Sequence, residues 1–164
     1  MMDSLADLIA RHAGPGRIEA ILLRPARRAP CRAVEAALLT PDGLEGDRAR
    51  AGRRAVTLIQ AEHLAAIRAL ARAPAAEFAD LRRNLVVSGL NLAALRGRVL
   101  ALGPAARLRV TGVCAPCSRM EAALGPGGWS AMRGHGGVTA EVLAPGPLAI
   151  GDAVTPAAEE EEAA

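Results

Sequence analysis

Apolar residues in this chain arrive in short bursts, and nearly every burst is closed by a glycine or a proline. Proline removes a backbone donor and fixes φ, and glycine weakens any helix it interrupts. Seventeen glycines and eleven prolines therefore argue against long helices and for short strands joined by tight turns. Ile18-Glu19-Ala20-Ile21-Leu22-Leu23 reads as a first strand and Ala33 to Leu39 as a second. Val56-Thr57-Leu58-Ile59 is a compact third; Asn84 to Val87, Val99 to Leu102, Leu108 to Thr111, Val138 to Leu143 and Leu148 to Ile150 follow. Helical spacing is confined to Ser4–His12, to 61–71, where Leu64, Ile67, Leu70 and Ala71 fall together, and to 75–81. A doubly wound sheet needs strands and helices to alternate throughout, and the second half does not. The expected fold is a β-rich α+β protein, a mixed β-barrel with a few peripheral helices.

The boundaries follow from the same punctuation. Residues 1–16 read as an N-terminal helix and linker, 17–155 as the barrel domain, and 156–164 as an acidic, disordered tail. The tail carries Glu159 to Glu162, and removing those four glutamates raises the formal charge from +3 to +7. No apolar run approaches the roughly 18 residues of a membrane span, and the acidic start lacks the pattern of a secretory signal. These features predict a cytoplasmic protein with no membrane partner. A nucleic-acid partner is not expected either, because Phe78 and Trp129 are the only aromatic faces of the Phe, Trp and Tyr class and the arginines are scattered. All 20 basic residues are arginine. Without lysine, neither a pyridoxal phosphate Schiff base nor a phosphate-loop lysine is available, while guanidinium groups suited to phosphate and carboxylate abound.

Most of the chemistry concentrates in Val113-Cys114-Ala115-Pro116-Cys117-Ser118-Arg119-Met120-Glu121. Ser118 and Glu121 have the spacing of a capping box, which predicts a helix starting at or just after Cys117. Unpaired N–H groups and the helix dipole at that end favour a thiolate, and Arg119 adds a full charge nearby. Cys114 and Cys117 admit three readings: a redox pair, half of a zinc site with Cys31 and His135 the only further ligands, or two small buried hydrophobes. Cys31 itself ends a basic loop, Arg24-Pro25-Ala26-Arg27-Arg28-Ala29-Pro30-Cys31. A second candidate is the glycine-rich Met132-Arg133-Gly134-His135-Gly136-Gly137, where Arg133 offers an anion fork and His135 a proton. Asp47-Arg48 and Arg82-Arg83-Asn84 supply further arginines that gain weight only if they converge with Cys117. His63 reads as a helix-surface or packing residue.

The ordered set Gly43-Leu44-Glu45-Gly46-Asp47-Arg48, Val56-Thr57-Leu58-Ile59-Gln60, Arg83-Asn84-Leu85-Val86-Val87-Ser88-Gly89, Gly97 to Gly103, Val110-Thr111-Gly112 leading to Pro116-Cys117, and Ile150-Gly151-Asp152 resembles the MOSC domain family. That module is similar to the C-terminal part of molybdenum cofactor sulfurases, and the resemblance runs from Arg17 to about Thr155. It implies a barrel of mixed strands and one key cysteine, here Cys117, carrying sulfur as a persulfide or ligating molybdenum in a pterin cofactor. It implies that Arg48, Arg83, Asn84 and Arg133 face an anionic small-molecule ligand; the reading of the residues themselves adds Arg119 to that set, and His135 and Cys114 to Cys117 as catalytic candidates.

The sulfurases carry an aminotransferase-like domain, and the larger reductases an extra N-terminal β domain. A chain without them is expected to depend on a sulfur donor such as a cysteine desulfurase, or on a reductase partner, and to lack part of the pterin's contact surface. Two versions stay open: a sulfur carrier, or a molybdenum-dependent reductase of N-hydroxylated compounds. The alternatives are a dithiol oxidoreductase cycling Cys114 and Cys117, and a non-catalytic ligand-binding module.

Overall fold

The computed structural model describes residues 2–157; the acidic run Glu159 to Glu162 lies outside them. Helix α1 (Leu5–Ala10) is followed by β1 (Gly16–Leu23), β2 (Arg32–Val34), β3 (Ala36–Thr40), β4 (Gly43–Leu44), β5 (Val56–Gln60), α2 (His63–Ala71), α3 (Phe78–Leu81) and β6 (Leu85–Ser88). A 3₁₀ turn (Leu92–Leu95) leads to β7 (Val99–Leu102) and β8 (Ala106–Val113). Helices α4 (Ser118–Leu124) and α5 (Gly128–Met132) precede β9 (Val138–Ala144), β10 (Gly146–Ala149) and β11 (Ala153–Pro156).

The main sheet runs β11-β7-β8-β9-β5-β6-β1-β2, and an added β11–β1 pairing closes seven of these strands into a mixed barrel with β2 outside the ring. The expected β-rich barrel with a few helices is therefore present. Closure rests on Gly16 opposite Val154 and Arg17 opposite Ala153, and it removes the open edges that a flat sheet would leave. Among the described residues only β5 and β6 pair in parallel, Leu58 facing Leu85 and Gln60 facing Val87. A second sheet, β10-β3-β4, packs beside the barrel.

Two apolar layers explain the near-continuous hydrophobic runs. In β5 and β6 the side chains of Val56, Leu58, Leu85 and Val87 point into the barrel, where Ile18, Ile21, Leu100 and Leu108 join them. Their neighbours Ile59 and Val86, with Leu22 of β1, point outward against Leu64 and Ile67 of α2, Leu81 of α3, Met120 and Leu124 of α4, and Met132 of α5. A strand covered on both faces has no polar side to show, which is why all five residues of β5 are buried. Among the described residues no helix is long and apolar enough to cross a membrane.

Several boundaries differ from those expected. The second predicted strand is split at Glu35 into β2 and β3, which join different sheets. Leu70 is 61% exposed although its spacing matches Leu64 and Ile67; α2 rests on the barrel through one narrow stripe. Strand β11 reaches Pro156, and Ala157 is buried with its N–H on the Val99 carbonyl at 2.8 Å, so order extends past Thr155. Helix α1 carries no buried residue; it is set by the Ser4–Asp7 capping box and an Asp3–Arg11 ion pair at 2.8 Å.

Candidate functional site

Cys117 sits where the chain leaves β8 and enters α4. It is the N-cap of that helix, with extended backbone, and its carbonyl accepts from the Met120 N–H at 2.9 Å. Its side chain is exposed, whereas Cys114 is 3% exposed and its N–H donates to the Gly137 carbonyl at 2.9 Å. All three cysteines are free thiols. The two thiols of the pair thus lie in different environments, one in the barrel wall and one in solvent. For the zinc reading, no three His, Cys, Asp or Glu side chains among the described residues converge on a common point.

The predicted capping box is not made. The helix begins at Ser118, as expected, but Cys117 takes the cap and makes no side-chain bond there. Glu121 instead reaches forward and accepts from the N–H groups of Trp129 at 3.0 Å and Gly127 at 3.2 Å. Those backbone bonds hold its carboxyl below the usual carboxylate range. Glu121 therefore caps α5, a helix absent from the sequence reading, and locks α4 to it. In the first turn of α4, Ser118 is exposed and Arg119 half-buried beside the exposed thiol, while Met120 is buried.

Arg119, two residues beyond Cys117, lines an open groove of about 550 Å³ with Arg28, Cys31 and Arg82. Among the described residues Asp80 is the only acid in its wall, and one of its oxygens already accepts from the Glu77 N–H. Arg28 and Arg82 both hold left-handed backbone, at φ 64° and 59°, a conformation costly for any residue with a Cβ. Arg82 donates one N–H to the Ala29 carbonyl, which ties the basic loop to the end of α3, while its Nη2 is buried without a partner. Burial pushes the Cys31 thiol up, against the pull of Arg82 and Arg24.

Arg48 joins this side of the molecule. Partial burial, together with the guanidinium groups of Arg24, Arg119, Arg82 and Arg27, draws its pKa down from the usual arginine value. Of these arginines, Arg24 is neutralised by Asp47, whose side chain is fully buried and accepts from it at 3.0 Å and from its backbone N–H at 2.6 Å. Like charges so placed repel one another, and an anion would relieve that repulsion.

The remaining predicted ligand residues are turned elsewhere. Asn84 is fully buried: its oxygen accepts from the Thr57 N–H at 3.1 Å and from Arg24 at 3.3 Å, and its amide donates to the Leu22 carbonyl. Arg83 is 6% exposed and donates to the carbonyls of Gly136 at 2.8 Å and Leu81 at 3.0 Å, its Nη2 staying unpartnered. Both organise the barrel wall behind the site. Arg133 is exposed and lies over the Trp129 ring, 5.5 Å from its centroid. His135 meets His63 edge to face, ring centroids 5.0 Å apart, with a buried Nδ1 that has no partner. Sequence reasoning named Arg82 only as one of the arginines that gain weight by converging with Cys117, weighed Cys31 only as a zinc ligand, gave Arg28 no role and read His63 as a packing residue. For Arg28 and Cys31 the available signal was a thiol at the end of an arginine-rich, proline-bounded loop.

Comparison with known proteins bears on the whole assembly. The chain is similar in structure to the YuaD protein of Bacillus subtilis, with a TM-score of 0.74 and 18% identity over 86% of this chain and 94% of that one. It is also similar to YiiM of Geobacillus stearothermophilus, TM-score 0.72 and 18% identity over 88% and 76%. YiiM of Escherichia coli gives 0.66 and 22% over 87% and 70%. At such identities these likenesses speak for the fold. No curated protein matches the sequence. The family model of the MOSC domain matches residues 45–155, more than half of the chain, and the protein belongs to the MOSC domain family.

Proposed function

We propose that Cys117 is the single functional thiol of this domain, and that the arginines beside it hold a large anionic ligand, the pterin form of the molybdenum cofactor. The observation that carries this reading is an exposed thiol, Cys117, two residues before Arg119, which itself lines a groove of about 550 Å³ together with Arg28 and Arg82. A bare sulfur carrier needs no such groove. A pterin with a phosphate does, and guanidinium groups suit that phosphate. Arg82, with a buried Nη2 lacking a partner, Arg119 and Arg28 would hold the anion, and the Cys117 thiolate would ligate the metal. When bound, the cofactor supplies a metal centre able to pass electrons to a substrate.

The enzyme version is a reductase of N-hydroxylated compounds. Replacing N–OH by N–H consumes two electrons and two protons and releases water, so a reductase partner must supply the electrons. The chain's own residues bind and orient; Arg119 adds positive charge two residues from the thiol, and Arg48 lies close enough to Arg119 to feel its charge.

Exposure of Cys117 also favours a second reading, sulfur transfer. Its thiolate attacks the outer sulfur of a donor persulfide, the donor thiolate leaves, and Cys117 becomes the persulfide with no net redox change. A cysteine desulfurase would be such a donor.

The test is elemental analysis and intact mass of the protein purified from its native host, beside Cys117→Ser. Molybdenum near one atom per chain, lost in the variant, supports the cofactor reading. A mass gain of one sulfur at Cys117 supports the relay. Neither, even with cofactor and persulfide donors supplied, overturns both and leaves a non-catalytic module.

A further inference from the structure

A second cavity lies apart from the arginine groove. It measures about 210 Å³ and is walled by His63 at the start of α2, by Leu92 and Arg96 around the 3₁₀ turn, by Gly112 and Val113 at the end of β8, and by the loop from Gly134 to Val138. Its surface is chiefly apolar. It is open because its walls lack side chains: a Cβ at Gly134 would meet nothing within 4 Å, and one at Gly112 only the Thr139 hydroxyl at 3.9 Å. Apolar cavities of about 150 Å³ take up benzene, so this one has room for such a ring and one small substituent.

The polar groups in the wall say which substituent. Arg96 is exposed and makes no hydrogen bond or ion pair among the described residues, and no carboxylate lines the cavity. Neither ring nitrogen of His63 has a hydrogen-bond partner among the described residues, and the ring is held edge to face by His135. Burial and the nearby His135 keep the His63 pKa below the ordinary 6.5, so near neutral pH the imidazole is uncharged and Arg96 is the one full charge. The Gln60 side chain, also in the wall, is already spent on the Leu92 N–H, Glu62 and the Val87 carbonyl.

We propose that this pocket binds a small monocarboxylate with an apolar ring or branched-chain body, Arg96 taking the carboxylate and His63 a hydrogen bond at its polar end. The site is independent of the chemistry at Cys117. Its ligand would enter as a substrate or effector held beside the Gly134–Val138 loop, whose Gly137 carbonyl accepts from the Cys114 N–H.

The experiment uses benzoate, with benzyl alcohol as its neutral counterpart and benzylamine as its cationic one, in calorimetric titration and imidazole NMR at pH 7.5. Benzoate is expected to bind, to shift the His63 ring signals and to raise Tm, with benzyl alcohol about tenfold weaker, the worth of one charge-assisted hydrogen bond. Arg96→Gln, at an exposed position, should bring benzoate down to the level of benzyl alcohol. Gly112→Val, which fills the cavity, should abolish both, and Cys117→Ser should change neither. Absence of benzoate binding at millimolar concentration, equal binding by Arg96→Gln, or binding that survives Gly112→Val would overturn the assignment. Loss of binding in Cys117→Ser would also overturn it, by moving the ligand to the thiol.

Discussion

The Nε of Arg83 donates to the carbonyl of Gly136 at 2.8 Å, joining the start of β6 to the glycine-rich loop 53 residues later. A second bond, from Nη1 to the Leu81 carbonyl at 3.0 Å, fixes the guanidinium between barrel and helices. Arg83→Met keeps the aliphatic volume but strips both carbonyls of a charged donor inside the protein. It should destabilise the fold by about 2–4 kcal/mol, read as a lower urea midpoint at unchanged m-value.

Gly137 follows in the same loop with φ 87°, and a Cβ there would collide with the Leu58 carbonyl of β5. Because the obstacle is backbone, no rotamer change relieves it. Gly137→Ala should cost at least about 2 kcal/mol, whereas Gly134→Ala, with φ 82° but open space around it, should cost about 1 kcal/mol from backbone strain alone. Thermal unfolding of the two variants side by side gives the comparison.

Six of the seven barrel strands were legible in the sequence because glycine and proline mark their ends, and so was the start of α4 at Ser118. What stayed hidden depends on pairing across space. Strand β11, Ala153-Val154-Thr155-Pro156, has no apolar run; it is a strand because β1 and β7 flank it. Helix α5 begins within Gly125-Pro126-Gly127-Gly128, which reads as a turn until Glu121 caps it. Arg83 and Asn84 carry the family pattern, yet which way their side chains point is decided by Gly136 and Thr57, far away in sequence. Among the candidates, Cys117 and Arg119 came from a local motif; the groove formed by Arg28, Cys31 and Arg82 required the fold.

Burial also orders the thiols. Cys117 is exposed, Cys31 is partly covered with its pKa pushed up by burial, and Cys114 is enclosed. Reactivity follows thiolate content and access. Limiting iodoacetamide at pH 7 should label Cys117 first, Cys31 more slowly and Cys114 only on unfolding, as followed by peptide mass spectrometry.

His63 gives a pH dependence with a definite sign. Burial and the neighbouring His135 depress its pKa in the folded state, so on acidification the unfolded chain takes up the proton first. Stability from this group is complete above the ordinary value of 6.5 and falls as pH drops towards the depressed folded value. Urea midpoints from pH 8 to 5 should decline more steeply in the native protein than in His63→Gln.

Loading of the thiol decides the central claim most directly. Native protein, Cys114→Ser and Cys117→Ser are each incubated with molybdenum cofactor and, separately, with a persulfide donor, then read by metal content and intact mass. The native protein and Cys114→Ser are predicted to load alike in at least one arm, and Cys117→Ser to stay empty in both. Equal loading of Cys117→Ser, or loss of loading only in Cys114→Ser, would contradict a functional thiol at position 117.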